Sequence, residues 1–373
     1  MGPDDLDRLR AAHVYDPNAE DAAEQLALLE RLEARGLGPD DLLSAQRLGT
    51  IVWAAFEHLI RPGPRRATAE IAHTTGLSMD ELRRLWRAWG FPDPAADDAC
   101  WTETDVDAVG IFRQVTAIAG VDGALAIARA VGTAMSRVAE SEVAFVRSKI
   151  EAPLHQQQAP WATLLLRYER VIAEFLPAAG KLLDTLHRHH LTEFRRRYAM
   201  ALEPSPSNVI DLVVGFADIT GSTALVERLQ LAELEHGLAV FEERTTDLIA
   251  RTGATLVKRL GDGVMFVADD ATIACRLALD LVAAFPAAEA LPPVRVGLAA
   301  GVVAALRGDY FGPAVHRAAR VVALAAPRTV VVAAEVGARV EPGALRFESI
   351  GARSLAGFDR PVELFECLAC PKA

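Results

Sequence analysis

The run Glu203-Pro204-Ser205-Pro206-Ser207 divides a helix-patterned half of the chain from a strand-patterned half. Each proline lacks a backbone donor and clashes with the turn before it, so a helix does not continue through this run. Upstream, apolar residues recur at spacings of three and four. Downstream, short runs rich in Val, Ile, Leu and Ala end in Gly and Asp. A chain of 373 residues can bury a separate core in each half. The expected organisation is an all-α domain over residues 1–200, a linker over 201–207 and a second domain over 208–373.

Hydrophobic residues at 51% and charged residues at 24% exclude wholesale disorder. A net charge of -11 weighs against a general nucleic-acid binder, which needs a basic surface. The acidic start Met1-Gly2-Pro3-Asp4-Asp5 lacks the basic and apolar regions of a secretory signal. No apolar run reads as the roughly 18 residues a membrane helix needs; the longest candidate, Ala271 to Leu306, is broken by Arg276, Asp280, Glu289 and Arg295. A cytoplasmic protein without a membrane partner is expected. Cys100, Cys275, Cys367 and Cys370 do not make a disulfide framework. Cys367 and Cys370 form a C-x-x-C without a second pair, for which chance spacing is preferred over metal or redox use.

In the first half, Ala22 to Leu43 reads as two helices, stopped at Gly36 and Gly38 and restarted at Pro39-Asp40-Asp41. Val121 to Ile150 reads as one long helix or two split at Gly132, apolar over more than one face. Such a helix should be buried in a bundle or a dimer interface; a lipid-like ligand is the lesser alternative. Trp161 to Phe175 and Lys181 to Met200 continue the pattern, the latter carrying His187, His189 and His190 beside Arg188 and Arg195 to Arg197. Thr68 to Trp89 has a helix-turn-helix pattern with its turn at Gly76 and Arg83, Arg84 and Arg87 on the second helix. That stretch is similar to the DNA-binding head of MerR-type regulators. Its acidic surroundings (Asp80, Glu81, Asp93, Asp97, Asp98) suit a structural or protein-contact role better.

The second half reads β-α-β-β-α-β with additions, a ferredoxin-like α+β core. Strands are expected over Val209 to Phe216, Ala254 to Leu260, Val264 to Ala268 and Val294 to Ala304. Helices are expected over Gly221 to Thr252, Ala271 to Phe285 and Pro313 to Leu324, with short strands at 329–333, 345–350 and 362–367. Asp218, in Phe216-Ala217-Asp218-Ile219-Thr220-Gly221-Ser222-Thr223, and Asp262, in Gly261-Asp262-Gly263, each follow an apolar run and precede small turn residues. Two carboxylates at neighbouring strand ends suit a hard divalent cation beside phosphates. Asp309-Tyr310-Phe311-Gly312, followed by His316 and Arg320, completes a nucleotide-site pattern.

These segments, over about residues 205 to 370, resemble class III nucleotidyl cyclases, specifically bacterial adenylyl cyclases. The resemblance implies that Asp218, Asp262 and the Ile219 backbone hold two Mg²⁺ or Mn²⁺ ions between the ribose 3′-hydroxyl and the triphosphate. It implies that Ile219 and the Thr220-Gly221-Ser222-Thr223 turn seat phosphate on backbone N–H groups. Lys258 and Asp309 match the base-selecting positions. Lysine donates to adenine N1 and aspartate accepts from its 6-amino group, a pattern guanine reverses, so ATP is the expected substrate. Arg320 matches the arginine that stabilises the pentavalent phosphate. The resemblance further implies a head-to-tail homodimer, with Asp218 and Asp262 of one chain facing Lys258, Asp309 and Arg320 of the other.

Two positions depart from the family. His316 stands where an asparagine usually orients the ribose, and Ala356 stands before Gly357 where a lysine is common; Arg353 or Arg360 could substitute. A catalytically weak homologue acting as a ligand-responsive or DNA-binding module is the alternative those departures leave open. Residues 1–200 resemble, more loosely, the helical regulatory domain of certain actinobacterial adenylyl cyclases, described as pH-sensing and autoinhibitory. His187, His189 and His190 are the candidate sensor, because histidine changes charge near neutral pH. A solvated basic helix face is the competing reading of the same residues.

Overall fold

The computed structural model describes residues 1–157, 160–200, 208–221, 230–286, 292–306 and 308–370. The chain separates into two compact units, Met1–Tyr198 and Ala199–Ala373. Residues 201–207, expected as the linker, lie outside the described residues.

In the first unit α1 (Pro3–Ala11), α2 (Ala22–Ala34), α3 (Pro39–Arg47) and α4 (Ile51–Ile60) close around Leu9, Leu28, Leu32 and Leu42. Each fully buried leucine contributes roughly 1.5–3 kcal/mol. The unit is not helical throughout as expected: β1 (Arg66–Ala67) pairs antiparallel with β2 (Ala99–Trp101). Between them lie α5 (Thr68–Thr75) and α6 (Met79–Trp89), joined through Gly76 at φ 69°, a left-handed turn that favours glycine. Ser78 and Glu81 cap α6 reciprocally: the Glu81 N–H donates to Ser78 Oγ at 3.2 Å and the Ser78 N–H to Glu81 Oε2 at 2.8 Å. Trp86 packs on Trp101 with ring centroids 4.3 Å apart, and the Trp101 indole N–H donates to Thr68 Oγ1 at 3.0 Å.

The long helix α7 (Glu103–Val146) breaks at Gly120, which takes φ 70°, and runs unbroken through Gly132, the one-helix alternative of the two expected for this stretch. Gly132 is there for close approach, since a Cβ on it would meet the Trp89 carbonyl at 2.6 Å. A π-helical turn (Arg147–Glu151) and α8 (Ala152–Gln156) follow. Then α9 (Trp161–Met200) runs as one helix through Pro177 where two segments were expected. Much of the apolar surface of α7 is left uncovered in this unit, although Val109, Leu125 and Ala128 are buried: Ile118 is 89% exposed and Phe145 61%, with Ile127, Val131 and Met135 also exposed. The helical stretch Glu103–Gln156 contains an 18-residue window of mean hydropathy 1.5, only 22% of it buried. By length and composition it could cross a membrane, which corrects the expectation that no run does; an interface helix passes the same test.

The second unit is built on β3 (Val209–Ile219), α10 (Leu231–Thr252), β4 (Thr255–Arg259), β5 (Gly263–Ala268), α11 (Ala271–Ala283) and β6 (Val294–Leu306). Their strand order, β4-β5-β3-β6, is the ferredoxin-like arrangement the sequence predicts, and the fold is α+β. The sheet extends beyond β6 to eight strands with β7 (Asp309–Phe311), β8 (Val330–Ala333), β9 (Leu345–Arg353) and β10 (Val362–Ala369). Among the described residues only the β6–β8 pairing is parallel. α10 and α11 cover one face through Phe241, Leu277 and Leu281, with Phe285 just beyond α11, against Val213, Phe266 and Leu298. α12 (Pro313–Leu324) covers the other through Ala314, Ala318 and Val321, against Val214, Met265 and Ala299. Adjacent strand residues thus enter opposite cores, as the two-residue period requires. α13 (Ala334–Gly337) follows β8. Gly297 on β6 lets α12 lie directly on the sheet: a Cβ there would fall 2.2 Å from the Val322 nitrogen.

Candidate active site

Asp218 sits near the end of β3, with Gly263 of β5 opposite on one side and Arg295 of β6 opposite on the other. The Ile219 N–H donates to the Asp262 carbonyl at 3.0 Å, so the two strand-end aspartates occupy adjoining backbone. The Gly261 turn, at φ 72°, carries β4 into β5 and leaves Asp262 half-buried. Thr220 continues from the strand end, its N–H and hydroxyl donating to the Pro293 carbonyl at 3.0 and 2.6 Å. Thr220 is therefore partly spoken for as a phosphate donor. Gly221 is exposed at φ 70°; Ser222 and Thr223, the rest of the expected phosphate turn, lie outside the described residues.

Sequence reasoning missed the principal partner of Asp218. Arg295 donates through Nη2 at 2.7 Å and Nε at 3.1 Å to Asp218 Oδ2. A lone arginine in the apolar run Val294-Arg295-Val296-Gly297-Leu298 was the only signal, and only the strand pairing puts it opposite an aspartate.

Lys258 and Asp309, 51 residues apart, meet: the Lys258 ammonium donates to Asp309 Oδ2. β4 has a bulge between Leu256 and Lys258, which re-aims Lys258. Asp309 opens β7, a strand absent from the sequence reading, and its Oδ1 accepts the Tyr310 N–H at 2.8 Å. The pair is about 30% exposed (32% and 28%), so it is reachable from solvent yet partly shielded.

His316 and Arg320 lie one turn apart on the exposed face of α12, opposite Ala314, Ala318 and Val321. Between them Arg317 turns inward, pairing with Glu335 at 2.6 Å and stacking on Phe358 at 5.3 Å. That fixes which way the helix presents His316 and Arg320. Arg353, Ala356, Gly357 and Arg360 are all exposed.

In the first unit His187, His189 and His190 are exposed on α9. Arg188 donates to Asp184 at 2.9 Å and holds the Asp184 carboxyl below the usual carboxylate range, with the His187 charge a smaller contribution. The three arginines of the helix-turn-helix segment engage their own chain: Arg87 with Asp93 at 2.7 Å, Arg84 with Asp122 at 3.7 Å, and Arg83 with the Pro94 carbonyl at 3.4 Å. The C-terminal cysteines diverge, Cys367 buried in the core cluster that holds Cys275 and Cys370 exposed.

The donor set at Asp218 and Asp262 fits a hard divalent cation. It offers two carboxylates and strand-end carbonyls, and Gly263 keeps room beside them, since a Cβ on it would sit 3.4 Å from Asp218 Oδ1. Among the described residues no group of three or more His, Cys, Asp or Glu gathers. Two carboxylates completed by substrate phosphates is the pattern Mg²⁺ favours.

Residues 15–194 match the family described as the adenylate cyclase regulatory domain, and residues 206–365 match the adenylate and guanylate cyclase catalytic domain. An uncharacterised protein of Mycobacterium tuberculosis is 36% identical over 371 residues, 99% of this chain and 96% of the relative. An adenylate cyclase of Streptomyces coelicolor is 34% identical over 281 residues, 74% of this chain and 72% of the relative. A pH-sensitive adenylate cyclase of Mycobacterium tuberculosis is 27% identical over 361 residues, 92% of this chain and 87% of the relative. With both family matches in sequence along one chain, and a 36% identical relative spanning 99% of it, this protein belongs to the adenylate cyclase family, a regulatory domain followed by a class III catalytic domain.

Proposed function

We propose that this chain converts ATP to 3′,5′-cyclic AMP and pyrophosphate, as a homodimer with composite active sites, under control of its N-terminal domain. The observation that carries the substrate reading is the Lys258–Asp309 contact, a donor and an acceptor side by side at the positions that read the base. Adenine inserts between a cation that donates to N1 and a carboxylate that accepts from the 6-amino group. Guanine would leave both groups unpaired, which costs far more than a missing apolar contact.

Asp218 and Asp262 would hold two Mg²⁺ or Mn²⁺ ions, together with the Ile219 backbone. Bound there, the ions would lower the pKa of the ribose hydroxyl and neutralise the leaving pyrophosphate. Arg320 would set fixed positive charge against the phosphate as its negative charge grows, and His316 would donate a hydrogen bond to the ribose. Ile219, Thr220, Gly221, Ser222 and Thr223 would line the phosphates. ATP as substrate places the work in the cytoplasm.

The dimer is supported by apolar side chains left exposed beside Asp309: Val302, Leu306 and Phe311. Regulation by pH through His187, His189 and His190 is supported by their exposure on α9 and by the relative named pH-sensitive. The engaged arginines of the helix-turn-helix segment favour a structural role there over nucleic-acid binding.

The test is complementation. Asp218→Ala and Arg320→Ala proteins should each lose on the order of 10²–10³-fold in cyclic AMP formation with Mn²⁺. Mixed, they should regain up to a quarter of wild-type activity, because one of the two sites in a mixed dimer is intact. Mixed dimers that form and stay inactive would sink the composite site. Wild-type protein inactive with ATP at every pH from about 5 to 8, the span over which histidine charge changes, would favour the weak-homologue reading.

A further inference from the structure

We infer that Arg317 is the positioning residue that sets the roll of α12, and with it the aim of Arg320, an inference that rests on the reading of Arg320 above. In its first two turns α12 buries only Ala314 and Ala318, with Val315 packed at the edge of the same core. Towards its end the Val322 backbone lies directly over Gly297. Alanine and glycine contacts fix how closely the helix approaches the sheet. They resist turning about the helix axis only weakly, because such side chains reach no further than one carbon.

Arg317 supplies the missing grip. Its Nη1 donates at 2.6 Å to Glu335 Oε1 on α13, and its guanidinium lies 5.3 Å from the centre of the Phe358 ring. Both partners are anchored. Val336, next to Glu335, is fully buried. The Phe358 N–H donates to the Leu355 carbonyl at 3.0 Å, closing a turn through Gly357 at φ 87° whose Leu355 enters the core below α12. One side chain therefore fastens the helix that presents His316 and Arg320 to α13 and to the β9–β10 connection, which also carries Ala356.

Stability alone does not account for this arginine. Arg317 and Glu335 are 25% and 28% exposed, and the Arg317 Nε is buried with no hydrogen-bond partner among the described residues. An apolar side chain of similar volume often replaces such a pair without loss of stability, because it avoids desolvating the charges. What an apolar side chain lacks is the directed hydrogen bond that fixes an angle. A roll of about 10° moves a side chain about 6 Å from the axis by about 1 Å. Misplacing a reacting group by about 1 Å can cost on the order of 100-fold in rate. Positioning and filling therefore predict different outcomes for the same substitution.

The experiment compares full-length wild type, Arg317→Leu, Glu335→Gln, Arg320→Ala and the Arg317→Leu/Arg320→Ala double variant, with cyclic AMP formation from ATP and thermal midpoints measured for each. Arg317→Leu should melt no lower than wild type and lose about 10-fold or more in kcat. Its KM for ATP should stay within about 2-fold, the mark of an interaction felt in the transition state. Glu335→Gln should lower kcat in the same way by a smaller factor. In the Arg320→Ala background Arg317→Leu should add little further loss, since residues acting through one another are not additive. Wild-type kcat in folded Arg317→Leu overturns the inference, and so does a full further loss in the Arg320→Ala background. Should Arg317→Leu not fold, Glu335→Gln decides: wild-type kcat there overturns it. Arg320→Ala as active as wild type, or wild type inactive with ATP, overturns the reading of Arg320 or of the enzyme itself and so is distinguishable.

Discussion

The two halves leave different things unfinished. The catalytic half buries its strands on both faces: every residue of β5 is buried, and Gly215 and Gly297 exist so that Phe266 and α12 can press onto the sheet. Its polar groups are paired across distant segments, Asp218 with Arg295 and Lys258 with Asp309. The regulatory half has tight small cores around Leu28, Leu32, Trp86 and Trp101, yet its two longest helices expose apolar side chains over much of their length, from Ile118 to Phe145 and from Phe175 to Phe194. The difference teaches where each half depends on something else. A sheet domain can complete its core alone and still leave its polar site groups at the surface, where the proposed second chain would meet them. A helical domain with bare apolar ridges has spare surface to bury, and monomers rarely keep such patches unused.

The comparison breaks first at Gly297. Gly297→Val should cost about 3 kcal/mol or more, because the new side chain would enter the backbone of α12. Thermal unfolding of the isolated unit is not needed: loss of the catalytic transition in the full chain, with regulatory helicity retained by circular dichroism, is the expected outcome. A full chain that melts like wild type would show that α12 can shift off β6.

Next comes base choice. Lys258→Gln keeps hydrogen-bonding capacity but removes the charge that pairs with Asp309. ATP over GTP selectivity, read as the ratio of kcat/KM values, should fall about 100-fold. An unchanged ratio would mean that the base is read elsewhere.

The smallest expected effect lies in the regulatory half. Changing His187, His189 and His190 together to Gln leaves Asp184 and Arg188 on the same helix face as the remaining charges. The midpoint of the pH–activity profile should move by roughly half a unit or more, while activity at the optimum stays within about 2-fold, as a charge effect of order 1 kcal/mol on an exposed helix allows. A superimposable profile would assign pH sensing to other residues.

Much of the catalytic half was legible because its signals are local. Apolar runs with a two-residue period, Gly-Asp-Gly at a hairpin and Pro313 opening a helix each act within a few residues, and the strand order β4-β5-β3-β6 followed from the β-α-β-β-α-β pattern. The extension of β6 to Leu306 and the short strand at Asp309 were missed, since pairing and not composition makes them strands. In the regulatory half the split at Gly132 was left open as an alternative to one long helix, and the structure takes the helix. A glycine required for contact with Trp89 and a glycine required for a positive φ look alike in sequence.

The amino-acid sequence by itself determined the two-domain order, the ferredoxin-like core and the residue types at the candidate site, because each follows from periodicity or turn chemistry carried by neighbours in the chain. Only the tertiary structure decided that Lys258 touches Asp309, that Arg295 takes one oxygen of Asp218, and that α7 leaves many of its apolar side chains in the open. Those facts depend on which strands lie side by side and in what register. A side chain's partner across a sheet is set by pairing of segments tens of residues apart, and no local pattern encodes it.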